Sequence, residues 1–281
     1  MSTPSVINLT LPRCLARPIE RLRSIQSGVL ERNIVDPTNL SPIKRRLDQL
    51  IRMAVNRVSR AYSEQYLYTP RWHVHQEMLR RAQSESADYV AEHMSHALVM
   101  PTWEGVLKQA SDETKVDGMY MEFGVRTGGT MNLLAKRNPT QQFHGFDSFE
   151  GLPEPWTGWW AAEGAFKRSA IPKVADNVEL VVGWFNDTLP GFMEQHEGPV
   201  AFVHADADLY SSTVTILDNV GPRLIPGSVI VFNEYFNYPN WKAHEYKAWQ
   251  EFCTANDVEY EYLSWGFYEV AVRITTIRGE S

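Results

Sequence analysis

The sequence has 281 residues, 43% hydrophobic, 22% charged and 12% aromatic, which excludes global disorder and allows one large domain, or one with a small extension. Lys and Arg total 27 against 34 Asp and Glu, a net charge of −7, so the chain as a whole is not drawn to nucleic acid. Two cysteines, Cys14 and Cys253, are too few for a disulfide framework, no apolar run is long enough to span a bilayer, and the first residues lack a secretory apolar stretch. A reducing, cytoplasmic setting without a membrane partner is the expectation.

Charge is uneven in the first sixty residues, where Arg13, Arg17, Arg21, Arg23, Arg32, Lys44, Arg45, Arg46, Arg52, Arg57 and Arg60 outnumber the acids. Few aromatics accompany them, so a basic face that meets an acidic partner surface or subunit is favoured over base stacking. Ser41-Pro42 forms an N-cap and first-turn pair, and Ile43, Leu47, Leu50, Ile51, Val55 and Val58 follow at helical spacing. This amphipathic helix, to about Glu64, is expected to mediate homo-oligomer formation. A weaker helical stripe runs over 76–96, and a third helix begins near Thr102 with Trp103, Val106 and Leu107. Residues 1–100 therefore read as a helical N-terminal extension, a lid or an oligomerisation element, and 101–281 as the main domain.

From Gly118 onward short apolar runs end in acids or glycines, the pattern of a parallel α/β sheet. Strands are expected at 119–125, 142–146, 178–182, 200–205 and 228–232, with an antiparallel pair near 260–263 and 268–274. The fold class is thus α/β, a doubly wound, mostly parallel, Rossmann-like sheet. In such sheets ligands sit beyond the carboxyl ends of the strands, where strand order reverses.

The first strand ends in Glu122-Phe123-Gly124-Val125-Arg126-Thr127-Gly128-Gly129-Thr130 and runs into an apolar helix start. Glycines there let a ligand approach the backbone and the free N–H groups of a helix terminus. The spacing is neither Gly-x-Gly-x-x-Gly nor a P-loop. The second strand ends at Asp147-Ser148, an acid twenty-three positions beyond Gly124 and suited to holding a ribose diol, though Asp-Ser also caps turns. The third closes on Gly183-Trp184-Phe185, whose aromatics suit either an adenine ring or the core. The fourth ends in His204-Ala205-Asp206-Ala207-Asp208 and the fifth in Phe232-Asn233-Glu234-Tyr235. Adjacent strand ends would crowd Asp206, Asp208, Asn233 and Glu234, an oxygen-only set that suits Mg²⁺ rather than zinc if it is not simply a solvated rim.

These motifs, E-F-G-V-R-T-G-G-T, G-F-D-S-F-E-G-L-P and H-A-D-A-D-L-Y-S-S-T in that order, resemble the macrocin O-methyltransferase (TylF-like) family of class I S-adenosylmethionine enzymes, over roughly residues 103–274. The resemblance implies S-adenosylmethionine in the crevice, with Glu122 and Gly124 near its methionine part and Asp147 on its ribose. Thr127, Gly128, Thr130, Ser148, Gly183, Trp184 and Asp206 complete the implied cofactor site. It also implies a divalent metal at Asp206 or Asp208 with Asn233 and Glu234, orienting a substrate hydroxyl pair. The family's acidic pair after the fifth strand is Asn233-Glu234 here, one negative charge fewer.

The activity so implied is O-methylation of a hydroxyl on a small natural product, a sugar moiety among the candidates. Its demand on the protein is mainly to hold an oxygen in line behind an activated methyl and to take its proton. Asp208, Glu234 and His244 are the candidate catalytic groups, His244 because its segment follows the fifth strand. Trp156, Trp159, Trp160 and Phe166 could stack on the acceptor or merely cover the sheet, with Tyr235, Phe236 and Tyr238 on an opposite wall. The alternative function is a scaffold that keeps the nucleotide crevice without turnover; nicotinamide chemistry lacks its glycine fingerprint.

Overall fold

The computed structural model describes residues 70–277 and isolated positions 51, 53, 55 and 57. The chain divides into two compact units, Met1–Trp72 and His73–Ser281. The basic run and the amphipathic helix expected from Ser41 lie outside the described residues, apart from those four positions, which are helical.

The second unit is built on an eight-stranded sheet. Its strands are β1 (Leu98–Val99), β2 (Met119–Phe123), β3 (Phe143–Asp147), β4 (Val178–Val182), β5 (Val200–Ala205), β6 (Leu224–Phe232), β7 (Glu259–Gly266) and β8 (Glu269–Thr276), in spatial order β1-β7-β8-β6-β5-β2-β3-β4. β2 to β6 pair in parallel, and β8 inserts antiparallel between β6 and β7. The chain steps outward from β2 through β3 to β4, then returns to β5 on the other side of β2. The crevice of a doubly wound sheet belongs at that reversal.

The helices are α1 (Pro70–His93), α2 (Trp103–Glu113), α3 (Gly129–Arg137), α4 (Phe185–Gln195), α5 (Tyr210–Val220) and α6 (Glu245–Asn256). Every residue of β5 is buried, as expected for a central strand covered on both faces. The Thr102 side chain caps α2 by accepting from Gly105 N at 3.2 Å, and Glu104 lies in the first turn, where the helix dipole favours an acid. Val106, Leu107 and Ala110 then bury one face of α2 completely.

Three departures from the sequence reading have local causes. β2 stops at Phe123 because Gly124 turns to φ 97°. β6 begins at Leu224, ahead of the expected 228, because Ser228 Oγ accepts from Ile225 N and donates to Val200 O at 2.6 Å, tying the irregular start to β5. The two-residue β1 is too short to carry an alternation. Residues 73–93, read from sequence within the extension, fall in the second unit. There Ser86 Oγ accepts from Asn237 N at 2.8 Å, and the Tyr89 hydroxyl lies 2.6 Å from that of Tyr262.

Candidate active site

Past the strand ends the hydrogen-bond ladder continues for one more residue. Gly124 N donates to Phe146 O, Asp206 N to Phe123 O and Asn233 N to Ala205 O, each at 2.9 Å. The ends of β2, β3, β5 and β6 are thereby held flush. A Cβ on Gly124 would stand 1.9 Å from the Asp206 carbonyl oxygen, so the two loops close on one another only because residue 124 has no side chain.

Above this edge lies a hollow of about 490 Å³, within the roughly 300–1,000 Å³ of small-molecule sites. Gly124, Arg126, Asp147 and Ser148 line it from the ends of β2 and β3. Gly183, Trp184, Phe185 and Asn186 contribute from the β4–α4 turn, and Asp206, Ala207, Asp208, Asn233 and Glu234 from β5 and β6. The loop after β3 supplies Leu152, Trp156, Trp159 and Phe166, with Tyr238 packed edge-on against both tryptophans and Tyr268 against Trp159. The Arg126 guanidinium sits 4.8 Å from the Phe166 ring centroid, a cation–π contact joining two loops at the rim.

Nine sequence-selected residues meet here: Gly124, Asp147, Ser148, Gly183, Trp184, Asp206, Asp208, Asn233 and Glu234. Five others do not line the hollow. Glu122 is fully buried beneath it, where Oε1 accepts from Thr130 Oγ1 at 2.8 Å and Oε2 lies 3.0 Å from His204 Nδ1. Burial alone would lower the His204 pKa, but the Glu122 hydrogen bond and charge outweigh it and raise it. Glu122 thus has two partners of its own and holds the loop from below. Gly128 starts α3 in the left-handed region, and Thr127 is exposed on the same turn.

His244 is likewise off the lining. Its Nε2 lies 2.8 Å from Thr157 O, fixing the aromatic loop to the segment before α6, and burial lowers its pKa. No histidine among the described residues lines the hollow. Trp160 is exposed, and Tyr235 and Phe236 are buried elsewhere, so the aromatic wall consists of Trp156, Trp159, Phe166 and Tyr238.

Asp147 has both of the roles weighed from sequence within its reach. Oδ1 accepts from Phe149 N at 2.6 Å, the Asx-turn arrangement, and Oδ2 from Arg126 N at 2.7 Å. Each oxygen keeps a further lone pair, and the side chain lines the hollow, so a diol can still be accepted.

Asp206, Asp208 and Glu234 each offer a carboxylate oxygen, all within 4.8 Å of one another. Oxygens around a six-coordinate Mg²⁺ stand about 2.9 Å apart when adjacent and about 4.1 Å apart when opposite, so the spread accommodates a hard cation after small side-chain shifts. Glu234 Oε2 is buried with no hydrogen-bond partner, an acceptor left free for such an ion. Asn233 Nδ2 donates to Glu234 Oε1 at 2.6 Å and reaches Asp206 Oδ1 at 3.4 Å; it orients the acids and offers its own amide oxygen as a ligand. Asp208 holds φ 60°, a conformation Asp tolerates better than most residues.

Burial and mutual repulsion raise the acids' pKa values: Asp206 is pushed up to about 6, Asp208 and Glu234 well above the carboxylate range. Sequence reading missed Glu245, the fourth acid. It is fully buried at the start of α6, with Oε1 accepting from Ala207 N at 3.3 Å and Oε2 from Glu234 N at 3.0 Å. It thereby ties the β5 and β6 loops together. Only its position as an acid in a helix first turn could have drawn notice.

Comparison with known proteins agrees with the motif resemblance. Residues 121–235 match the model of a methyltransferase domain. A Streptomyces olivaceus 8-demethyl-8-(2,3-dimethoxy-alpha-L-rhamnosyl)-tetracenomycin-C 4'-O-methyltransferase is 31% identical over 143 residues, 43% of this chain and 54% of that protein. The demethyldecarbamoylnovobiocin O-methyltransferase of Streptomyces niveus is 27% identical over 161 residues, 47% and 59% of the two chains. The aligned region thus spans little more than half of each curated relative. Among solved structures, the calicheamicin methyltransferase CalS11 shares the fold at a TM-score of 0.50 with 24% identity, covering 63% of this chain and 77% of its own. The O-methyltransferase NovP does so at 0.50 with 23% identity, covering 62% and 79%. No helix among the described residues is long and apolar enough to cross a membrane.

Proposed function

We propose that this chain, whose residues 121–235 match the model of a methyltransferase domain, is an S-adenosylmethionine-dependent O-methyltransferase acting on a hydroxyl of a small natural product, a sugar moiety included. The observation that carries the reading is the meeting, in one hollow, of Asp147 with its free lone pairs and the Asp206, Asp208 and Glu234 carboxylates. The relatives that methylate rhamnosyl-tetracenomycin and novobiocin precursors support a glycosylated acceptor.

In this reading Asp147 and Ser148 hold the ribose, Gly183 and Trp184 flank the base, and Gly124 leaves the backbone open to the remainder of the donor. The bound donor supplies a methyl carbon activated by positive sulfur. The chain's task is to keep the acceptor oxygen in line with that carbon and exclude water, for which Trp156, Trp159 and Tyr238 provide rigid walls. As the new C–O bond forms and the C–S bond breaks, the hydroxyl proton passes to Asp208 or Glu234, whichever of the two is ionised. Asp206, Asp208, Glu234 and Asn233 would hold Mg²⁺, which would lower the pKa of a hydroxyl bound to it.

Calorimetry with S-adenosylhomocysteine tests the assignment; the expected result is micromolar binding that Asp147→Ala abolishes. No heat at high-micromolar ligand would overturn it. Transfer of a labelled methyl to hydroxyl-bearing glycosides should fall in EDTA and return with Mg²⁺. Retained cofactor binding with no methylated product across such a panel would favour a scaffold instead.

A further inference from the structure

Away from the hollow, His144, Glu179 and His196 each offer a ligand atom, all within 4.8 Å of one another. The parallel register sets His144 of β3 directly beside Glu179 of β4, and His196 follows the last turn of α4. His144 lies three residues before Asp147, so the cluster is ~10 Å down the strand from the hollow, taking ~3.3 Å per residue.

His144 is only 7% exposed, and its Nδ1 is shut off from solvent without a hydrogen bond, although Glu179 Oε2 lies 3.2 Å away. The separation is close to that between two neighbouring ligands of a tetrahedral ion, about 3.3 Å when each stands about 2.05 Å from the metal. His196 is prepared in the same sense. Its Nδ1 lies 2.9 Å from Phe192 O and can only donate there, which leaves Nε2 with its lone pair. Stacking on Phe192, 3.8 Å between centroids and 13° between planes, fixes the ring. A carbonyl behind the far nitrogen is the usual support of a metal-bound imidazole.

We propose that His144, Glu179 and His196 form a binding site for a borderline divalent transition metal, zinc the reference ion, separate from the acidic cluster. Two imidazoles and one carboxylate make a three-ligand set with a fourth position open to water, and nitrogen ligands discriminate against Mg²⁺. A metal there would clip the start of edge strand β4 to the end of α4, the two arms whose connecting turn carries Gly183, Trp184 and Phe185 into the hollow.

The test uses the full-length, tag-free protein, stripped of metal and held in excess Mg²⁺ so that the acidic cluster is occupied. Zinc is then titrated in competition with a chromophoric chelator. The expected result is one tight equivalent per chain that His196→Ala and Glu179→Gln each weaken about tenfold or more, with S-adenosylhomocysteine affinity unchanged. Both substitutions are outside the core, so folding is retained where His144→Ala would threaten it. Absence of zinc binding to the unmodified chain, or binding of equal strength in both variants, would overturn the proposal. Cofactor binding is read separately, so failure here leaves the methyltransferase assignment standing.

Discussion

Gly124→Ala isolates the contact on which the whole edge of the hollow depends. The new methyl carbon would lie 1.9 Å from the Asp206 carbonyl oxygen, about 1 Å inside the closest approach real Cβ atoms make, and the opposing atom is backbone. Neither partner can swing away, because Gly124 N and Asp206 N are both committed to ladder hydrogen bonds at 2.9 Å. A φ of 97° adds a conformational cost of about 1–3 kcal/mol for a residue with a side chain. Parting the β2 and β5 ends adds about 2 kcal/mol in bent angles and stretched hydrogen bonds, so the expected loss is about 3–5 kcal/mol. In a unit of this size that lowers Tm by about 6–20 °C. Asp206 moves with its carbonyl, so Mg²⁺ and S-adenosylhomocysteine affinities should fall together. Gly164→Ala is the control: it has φ 73° but nothing within 4 Å of the added carbon, and should show the conformational cost alone. Thermal unfolding and calorimetry read both variants. A Tm within about 2 °C of the parent for Gly124→Ala, with unchanged affinities, would refute the close-packing argument.

Replacing Glu122 by Gln should cost about 3–5 kcal/mol in urea unfolding, because it strips the buried His204 of its charge partner. A change below about 1 kcal/mol would show that the pair is not an ionic brace. In chelator, stability should fall as pH rises from 3.8 through about 6, since the folded state keeps the Asp206 proton that the unfolded chain has released. The displacement is worth at most about 3 kcal/mol, less where water in the hollow screens the charge. Mg²⁺, which fits the ionised acids, should flatten that fall, and denaturation curves at several pH values with and without the ion compare the two. Asn233→Asp should tighten Mg²⁺ binding, read by calorimetry, while lowering the Tm of the metal-free protein, because a fourth carboxylate joins Asp206, Asp208 and Glu234. A rise in metal-free Tm would contradict the repulsion argument.

Most of the sheet was legible because buried parallel strands declare themselves as short apolar runs closed by glycine or an acid, as at residues 119–123, 143–147 and 200–205. The acidic cluster was legible for a related reason: motifs that follow the fourth and fifth strands must meet if those strands pair, and β5 and β6 do. The Glu122 side chain was not legible. Its place at a strand end fits a ligand contact and a buried brace equally well, and only packing against Thr130 and His204 decides between them. The same holds for His244, which is near the site in sequence but turned to Thr157 O.

The order of motifs therefore determined the fold class and the sheet edge at which the polar residues collect, because pattern and topology act along the chain. Which of those residues face the hollow was a tertiary decision. So were the joining of two loops by Glu245 and the gathering of His144, Glu179 and His196 from positions up to fifty-two residues apart. Side-chain direction, burial and the choice of hydrogen-bond partner depend on neighbours that the folded chain brings together and the linear chain keeps apart.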